Sequence, residues 1–435
     1  MNRHLKPLLK SLLVLAIYLP FLAATTGKQY TGPAPEYSAR INAFALDLLH
    51  HEAAAKDAAQ NEMFSPGSLW SCMAMCYIGS AGPTRDGLAR ALHFPADNES
   101  LMRDLPALRR DMLADAARSG AELHLADSMW LDKTYAKFRP DYLRDLSRLT
   151  TGAPHEVKFA DKAASTAEVN DWLKTATDGR ITQGITPAGI PSRSQPARDY
   201  IDEPALVAVD AAWFKAKWTH RFAATETSQR LFYTPGAGAI RTPIMHQRSL
   251  FLYAQDADFK LLIMPYAGDR FSMIALLPRA TADVPTLAAS LKENTVKQLL
   301  LAAHPAAVDI LFPKFTIKRR LDLGKTLAPM GAAEAFDKNR AGFDPMIIKQ
   351  DTAFRIYLDG VHHESWLQVD EDGTEAAATT VATAYSIGCA AAPEPGSAEF
   401  HADHPFLFFI VHNPTRATLF AGWITNPSFA APANE

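Results

Sequence analysis

Apolar residues recur at helical spacing in three stretches of the chain. Tyr37–Ala53 carries them at positions 41, 44, 45, 48 and 49. Phe64 and Ser65 precede a second run that begins at Pro66, and a Ser/Pro start is typical of a helix N-terminus. Thr166–Asp178 is amphipathic and is followed by Gly179, a residue that often ends helices. The pattern therefore predicts three helices, the second of them continuing to position 77.

Short apolar runs elsewhere in the chain predict β-strands. They are Ala205–Val209, Phe259–Pro265, Met273–Pro278, Val308–Pro313, Trp366–Asp370, Phe406–His412 and Thr418–Ile424. Helices and strands are interleaved without the regular alternation of a doubly wound fold, which favours the α+β class. No internal repeat and no break in composition divides the chain, so we expect one large domain.

Composition and charge exclude several classes of protein. The 435 residues include 44 Lys+Arg against 47 Asp+Glu, and no long basic block offers a surface for nucleic acid. Three cysteines are too few for a disulfide scaffold and lack the paired spacing of a zinc site. His362 and His363 are adjacent, so in a strand they point to opposite faces and cannot share a metal ion. No phosphate-loop, GxSxG or HExxH motif occurs, and we expect neither a metal nor a cofactor.

The first 27 residues have the order of a secretory signal. Three basic residues (Arg3, Lys6 and Lys10) precede the uncharged run Leu12–Ala24, and small residues follow up to Gly27. The uncharged run is shorter than the roughly 20 residues that a membrane span needs. We expect residues 1–27 to be removed on export and 28–435 to form an extracellular protein, or a periplasmic one in a Gram-negative source, with no membrane contact. An uncleaved N-terminal anchor is the alternative.

Residues 374–384 alternate in an unusual way. Every second residue is small and uncharged, and the intervening positions hold the single charge of the segment, Glu375. The small set is Thr374, Ala376, Ala378, Thr380, Ala382 and Ala384. A period of two with one small face is the pattern of a strand that can be inserted between other strands. A flexible Ala/Thr-rich linker, or an ordinary strand rich in small residues, is the alternative at this point.

Six separated motifs resemble those of the serpin family, in the same order along the chain. The segment from Glu371 to Thr379 (EDGTEAAAT) is similar to the family's hinge, Glu-x-Gly-Thr-Glu-Ala-Ala-Ala-Thr. The others are FSPGS at 64–68, ALVAVDAAWFKAKW at 205–218, PIMHQ at 243–247, FHADHPFLFF at 400–409 and LFAGWITNP at 419–427. The resemblance covers nearly all of residues 37–428.

The resemblance implies a fold and a mechanism. The fold is a single domain with a large central mixed β-sheet, two further sheets, eight or nine helices and an exposed reactive-centre loop at about 371–399. The mechanism is suicide inhibition: a serine peptidase cleaves the loop, becomes acylated, and is trapped when the loop inserts into the sheet. A cysteine peptidase is a further candidate partner, and we expect a monomer. The alternatives are a non-inhibitory serpin that acts as a carrier or chaperone and, more remotely, a hydrolase with an unrecognised triad.

The resemblance also assigns residues to the loop. Counting from the hinge glycine, Gly373, places the cleaved bond at Ile387–Gly388, and the bonds on either side between Tyr385 and Cys389 stay open. No Arg or Lys lies near this bond, so we expect an elastase-, subtilisin- or chymotrypsin-like target. The hinge residues that the resemblance carries over are Glu371, Gly373, Thr374, Glu375, Ala376, Ala377 and Ala378.

A second group of residues is implied where the central sheet opens. We call Ser65, Ser68, Asp210 and His363 the gate, with Trp218 at the point where the loop would insert. The family usually has asparagine at the position of Asp210, so a buried carboxylate here would need His363 or the serine hydroxyls as partners. Lys314 is expected to pair with Glu371 at the base of the loop.

Overall fold

The computed structural model describes residues 35–55, 60–134, 136–149, 153–186, 206–236, 238–279, 288, 291–349, 355–374 and 398–427. Eight α-helices lie in these ranges: α1 Pro35–Ala55, α2 Pro66–Ile78, α3 Gly82–Leu92, α4 Asn98–Ser119, α5 Pro140–Leu149, α6 Lys162–Ala176, α7 Glu293–Ala302 and α8 Gly324–Leu327. None of the helices in the described ranges is both long and apolar enough to cross a membrane.

The described residues also form seventeen strands. They are β1 Glu62–Phe64, β2 Glu122–Asp132, β3 Ala136–Phe138, β4 Ala153–Val157, β5 Leu206–Lys217, β6 Ser228–Thr234, β7 Gly238–Gln255, β8 Phe259–Pro265, β9 Phe271–Pro278, β10 His304–Pro313, β11 Phe315–Asp322, β12 Ile347–Lys349, β13 Leu358–Val369, β14 Gly373–Thr374, β15 Ala398–His401, β16 Phe406–His412 and β17 Ala417–Ile424.

The central mixed sheet has six strands in the order β11-β13-β14-β5-β2-β4. It is mixed: β5 runs parallel to β13 and antiparallel to β2. Strand β14 is only two residues long and lies between β13 and β5 at one end, so the two longer strands also pair directly with each other. The seam between β5 and β13 is therefore closed along most of its length and occupied by β14 at its end.

A nine-stranded sheet contains the two further sheets that the resemblance implies, joined by one long strand. Strand β7 pairs with β6 through residues 238–244, with β10 through 244–253 and with β8 through 252–255. The strand order of the nine-stranded sheet is β1-β17-β16-β9-β8-β7-β10-β15, and β6 pairs with β7 outside this order. A separate pair, β3 and β12, completes the described strands.

Helix α2 is the centre of the core. Twelve of its thirteen residues are buried, because it packs against β2 and β5 on one side and β17 on the other. Leu69 and Met73 are examples, with no more than 1% of their surface exposed. Helix α6 lies on the opposite face of the six-stranded sheet, where Val169 and Leu173 pack with Trp130 of β2. The N-terminus of α2 lies against the seam, where Ser68 contacts Asp210 of β5 and Ser65 contacts His363 of β13.

Strands predicted from the sequence lie where expected but are mostly longer. Phe259–Pro265 and Phe406–His412 coincide with β8 and β16. The predicted strand Ala205–Val209 is only the beginning of β5, and Trp366–Asp370 covers only the last part of β13. The extensions of β5 and β13 contain Asp210 and His363, polar residues that interrupt the apolar pattern yet are fully buried.

Candidate functional site

The N-terminus of α2 places two serines against the seam. Ser65 is the N-cap: its backbone is extended, and its hydroxyl accepts a hydrogen bond from the Ser68 N–H at 3.4 Å. Pro66 occupies the first helical position, where its missing N–H costs no hydrogen bond. Both serines are fully buried, so their polar atoms need partners within the protein.

Those partners come from the two strands that flank the seam. Asp210 of β5 lies directly opposite His363 of β13 in the parallel register. His363 Nδ1 is 2.5 Å from Asp210 Oδ2, the hydroxyl of Ser68 donates to Asp210 Oδ1, and the Ser65 backbone N–H donates to His363 Nε2 at 2.9 Å. Because Nε2 accepts a hydrogen bond, it carries no proton, and the imidazole is neutral with its proton on Nδ1. The four gate residues form one network that spans the seam.

The gate carboxylate titrates in an unusual range. Burial raises the pKa of Asp210 to about 6, although the hydrogen bonds from His363 and Ser68 act in the opposite direction. The charge of Asp127, the residue opposite Asp210 on β2, adds to the increase. At neutral pH the gate therefore contains the buried carboxylate of Asp210, held by hydrogen bonds from His363 and Ser68. An asparagine at this position would carry no charge.

The hinge begins inside the sheet. Gly373 pairs with Lys217, and Thr374 pairs with Ala216 of β5 and with Val369 of β13, antiparallel to both strands. Gly373 lies so close to β5 that a Cβ would overlap the Ala216 carbonyl oxygen and approach the Lys217 Cα to 2.7 Å. Only glycine allows this approach. Thr374 is fully buried, so the first residue of the small-residue face already lies between the two strands.

Trp218 fixes the turn that leads into the hinge. Its backbone N–H donates to the Asp372 carbonyl at 2.9 Å, and its indole N–H donates to the Asp370 carbonyl at 3.0 Å. Its ring stacks on Tyr266, with 4.5 Å between the ring centroids and 10° between the planes. Trp218 is 3% exposed. The indole therefore orders the backbone of residues 370–372 at the end of β5.

An ion pair holds Glu371, the hinge residue two positions before Gly373. Lys314 Nζ is 2.7 Å from Glu371 Oε2, and the Thr227 hydroxyl donates to Oε1 at 2.7 Å. Burial alone would raise the pKa of Glu371, but the bonds from Lys314 and Thr227 outweigh it and the pKa is lowered. Both charged side chains are largely buried, at 18% and 15% exposed. Lys314 and Glu371 thus meet at the base of the loop.

Tyr266 is a site residue that the sequence analysis missed. Its hydroxyl lies 2.7 Å from the Thr374 hydroxyl, and both side chains are fully buried. It follows β8 and is joined to Trp218 by an isolated β-bridge. The only signal in the sequence is a tyrosine directly after a predicted strand, which carries no information about a partner more than 100 residues away.

Several predicted residues lie outside the described ranges. They are the hinge residues Glu375, Ala376, Ala377 and Ala378, the expected cleavage site Ile387–Gly388, and the signal segment 1–27. The structure brings together Glu371, Gly373 and Thr374 with Trp218, and it brings together the four gate residues. The gate and the hinge lie at different positions along the seam. The last direct pair between β5 and β13 is Trp213 with Trp366; the gate pair Asp210–His363 lies within the paired region, and the hinge lies beyond it.

One buried cluster has the connectivity of a hydrolase triad. His412 Nε2 is 3.0 Å from Asp115 Oδ2, and its Nδ1 is 2.8 Å from the Thr415 hydroxyl. His412 is fully buried and Thr415 is 3% exposed, and burial lowers the pKa of His412 to about 4. A substrate has no access to this hydroxyl. The cluster instead joins the turn between β16 and β17 to α4. Among the described residues, no group of three or more potential ligands is arranged to hold a metal ion.

Comparisons with known proteins agree on one family. The sequence model described as Serpin (serine protease inhibitor) matches residues 39–427. An uncharacterized serpin-like protein of Thermococcus kodakarensis is 30% identical over 393 residues, covering 89% of this chain and 85% of the relative. Leukocyte elastase inhibitor A of Rattus norvegicus is 29% identical over 404 residues, covering 90% of this chain and all of the relative.

Solved structures show the same fold. The thermophilic serpin tengpin in its native state superimposes with a TM-score of 0.75 at 20% identity, covering 90% of this chain and 94% of the other. Human thyroxine-binding globulin with bound thyroxine gives 0.76 at 22% identity, covering 91% of this chain and all of the other. The expected fold, with its mixed central sheet, two further sheets and eight helices in the described ranges, is confirmed. The chain belongs to the serpin family.

Proposed function

We propose that this serpin is a suicide-substrate inhibitor of extracellular serine peptidases. The observation that carries the proposal is the position of Thr374, which is buried between β5 and β13 and antiparallel to both. A strand that continues from Thr374 along the seam would place Ala376, Ala378, Thr380, Ala382 and Ala384 on the same face. These residues are small and uncharged, so their burial there would introduce neither a charge nor a bulky side chain.

The chemistry is supplied by the peptidase. Its serine attacks the carbonyl carbon of Ile387, the peptide bond to Gly388 breaks, and the new amine of Gly388 leaves with the proton taken from the serine. The loop residues on the N-terminal side remain attached to the peptidase through the acyl ester. Insertion of residues 375–386 between β5 and β13 would then carry the acylated peptidase along the sheet before water hydrolyses the ester.

The gate residues are proposed to control this step. The incoming strand must separate Asp210 from His363, because these residues face each other across the seam. Trp218 and the Lys314–Glu371 pair lie where separation would begin. The names of two similar curated proteins, leukocyte elastase inhibitors of rat and human, support an apolar-specific target peptidase. We place residues 28–435 outside the cell as a monomer, after removal of a signal at 1–27.

The test is a gel of the protein mixed with elastase-, subtilisin-, chymotrypsin- and trypsin-like peptidases. An SDS-resistant band at the mass of the peptidase plus the inhibitor fragment that ends at Ile387 is expected with the apolar-specific enzymes. A papain-like cysteine peptidase serves as a further candidate. A catalytically inactive Ser→Ala peptidase is the matched control and should give no such band. Cleavage of the loop without any covalent band would identify a non-inhibitory serpin.

A further inference from the structure

Tyr266 and Thr374 form an isolated polar contact in an apolar surrounding. Their hydroxyls are 2.7 Å apart, and the Tyr266 ring is enclosed by Trp218, stacked at 4.5 Å, and by Phe214, edge-on at 5.2 Å. Both residues are fully buried, and burial raises the pKa of the Tyr266 hydroxyl, so it stays protonated. Each hydroxyl therefore serves as the buried partner of the other.

The register shows what this contact does to the hinge. Thr374 is paired with Ala216 on one side and Val369 on the other, in the register that an inserted strand starting at this residue would have. Insertion of the following residues in this register would leave these two pairings unchanged. The contact with Tyr266 is thus compatible with the uncleaved loop and with the inserted loop alike.

We propose that Tyr266 is a positioning residue that holds Thr374 as the first inserted residue of the incoming strand, so that insertion starts from a pairing formed before cleavage. This inference rests on the proposed inhibitory function and adds a residue to it. Withdrawal of the hinge would leave the Tyr266 hydroxyl buried without a partner, an unfavourable state that opposes withdrawal. After acylation, insertion competes with hydrolysis of the ester, so a hinge that is already positioned shifts the competition toward the trapped complex.

The first test uses variants that remove one hydroxyl or both. Tyr266→Phe and Thr374→Val each leave one buried hydroxyl unpaired, and we expect each to raise the ratio of loop cleaved to peptidase trapped by about tenfold, the factor that corresponds to about 1.4 kcal/mol. The rate of loop cleavage should not fall, because Tyr266 is buried away from the peptidase. The double variant pairs two apolar side chains and should recover at least half of the lost trapping on a logarithmic scale.

A matched control removes a different tyrosine hydroxyl. Tyr253 is 4% exposed and donates to Gln255 at 3.0 Å, on β7 of the other sheet. Tyr253→Phe should leave the ratio of cleavage to trapping unchanged. Additive losses in the Tyr266/Thr374 double variant, or an equal loss in Tyr253→Phe, would overturn the proposal, because both indicate general destabilisation.

The second test needs no peptidase. Hydrogen exchange at the amides of 373 and 374 in the uncleaved protein reports whether the hinge is paired. We expect about tenfold faster exchange in Tyr266→Phe than in wild type, and no change in Tyr253→Phe. Equal exchange in all three proteins overturns the role of Tyr266. Failure of the wild type to trap any peptidase would instead contradict the proposed function, and the exchange result would still decide whether Tyr266 positions the hinge.

Discussion

Asp210 and His363 face each other on parallel strands and are joined by a hydrogen bond of 2.5 Å across the seam. The bond links the two strands that would have to separate for another strand to enter. This contact differs from an amide–imidazole contact because an amide does not ionise, whereas the buried carboxyl of Asp210 has a pKa of about 6 and is mostly ionised only above that pH. The charge state of one residue therefore affects the stability of the closed sheet.

The first prediction follows from this pKa. The folded protein binds the Asp210 proton more tightly than the unfolded chain, where the pKa is near 3.8. Stability is therefore lost as pH rises from about 4 to about 6, and the loss, on the order of 2–3 kcal/mol, persists at higher pH. Asp210→Asn carries no charge, and its amide can donate to Ser68 while its carbonyl accepts from His363. We expect the variant to be more stable than wild type at pH 7–8 and to lose this advantage near pH 4.

Urea unfolding midpoints measured from pH 4 to pH 8 test this prediction. The informative quantity is the difference between variant and wild type, since it cancels the titration of groups that Asp210 does not contact. Asp86→Asn changes an exposed carboxylate of α3 and is the matched control, expected to follow the wild-type curve. Parallel curves for Asp210→Asn and wild type would show that Asp210 does not titrate in this range.

The second prediction concerns the first inserted residue. Thr374→Arg would place a charged side chain at a fully buried position between two strands. Burial of an unpaired charge costs several kcal/mol, so the hinge should leave the sheet while the rest of the fold persists. The covalent fraction should fall about tenfold or more, with the loop cleaved as an ordinary substrate. Thr175→Arg, at an exposed position of α6, should trap peptidase as wild type does. Wild-type trapping by Thr374→Arg would refute insertion.

The third prediction concerns stability after cleavage. Insertion adds strand pairing on both sides of the new strand and buries its small-residue face, so the cleaved protein should unfold at a sharply higher temperature. The comparison is a thermal scan before and after clean nicking near Ile387. The second scan should include Thr374→Arg as a control, because its cleaved loop cannot insert. An unchanged midpoint in the nicked wild type would mean that the loop stays outside.

The fourth prediction identifies the cleaved bond. A trypsin-like pocket contains a buried carboxylate that Ile387 would leave unpaired, which costs about 1–3 kcal/mol in the transition state. Apolar pockets accept isoleucine, so elastase- and subtilisin-like enzymes should be trapped and trypsin should not. Mass spectrometry of the released peptide should show a new N-terminus at Gly388. Ile387→Arg should redirect trapping to trypsin, and efficient trapping of trypsin by the wild type would contradict the assigned bond.

Motif resemblance predicted which residues would meet in the site. Ser68, Asp210 and His363 are spread over nearly 300 positions, yet they form one network at the N-terminus of α2. Lys314 lies against Glu371, as the resemblance implied. Hydrophobic patterning alone would not have found these contacts, because a buried carboxylate and imidazole interrupt the apolar runs of β5 and β13.

The elements that the sequence pattern missed share a physical cause. Strand β2 buries Asp127 and Ser128 in hydrogen bonds, so its polar residues look like those of an exposed segment. Helix α4 contains Pro106, which in a sequence normally marks a helix boundary. Tyr266 contacts Thr374 only because the chain brings an isolated bridge beside the end of β5. Strand β2, helix α4 and the contact of Tyr266 with Thr374 all depend on tertiary contacts, which do not produce a local hydrophobic periodicity in the sequence.

The direction of the strands makes the sheet with an inserted strand differ in pairing from the native sheet. Strands β5 and β13 run parallel, whereas Thr374 is antiparallel to both. A strand extending from Thr374 would exchange one parallel ladder for two antiparallel ones, which pair more favourably per residue. Each residue pair added in such an exchange would lower the free energy further, which opposes withdrawal of the inserted strand. Under the proposed function, each molecule would therefore act once, and one molecule would be consumed for every peptidase molecule removed.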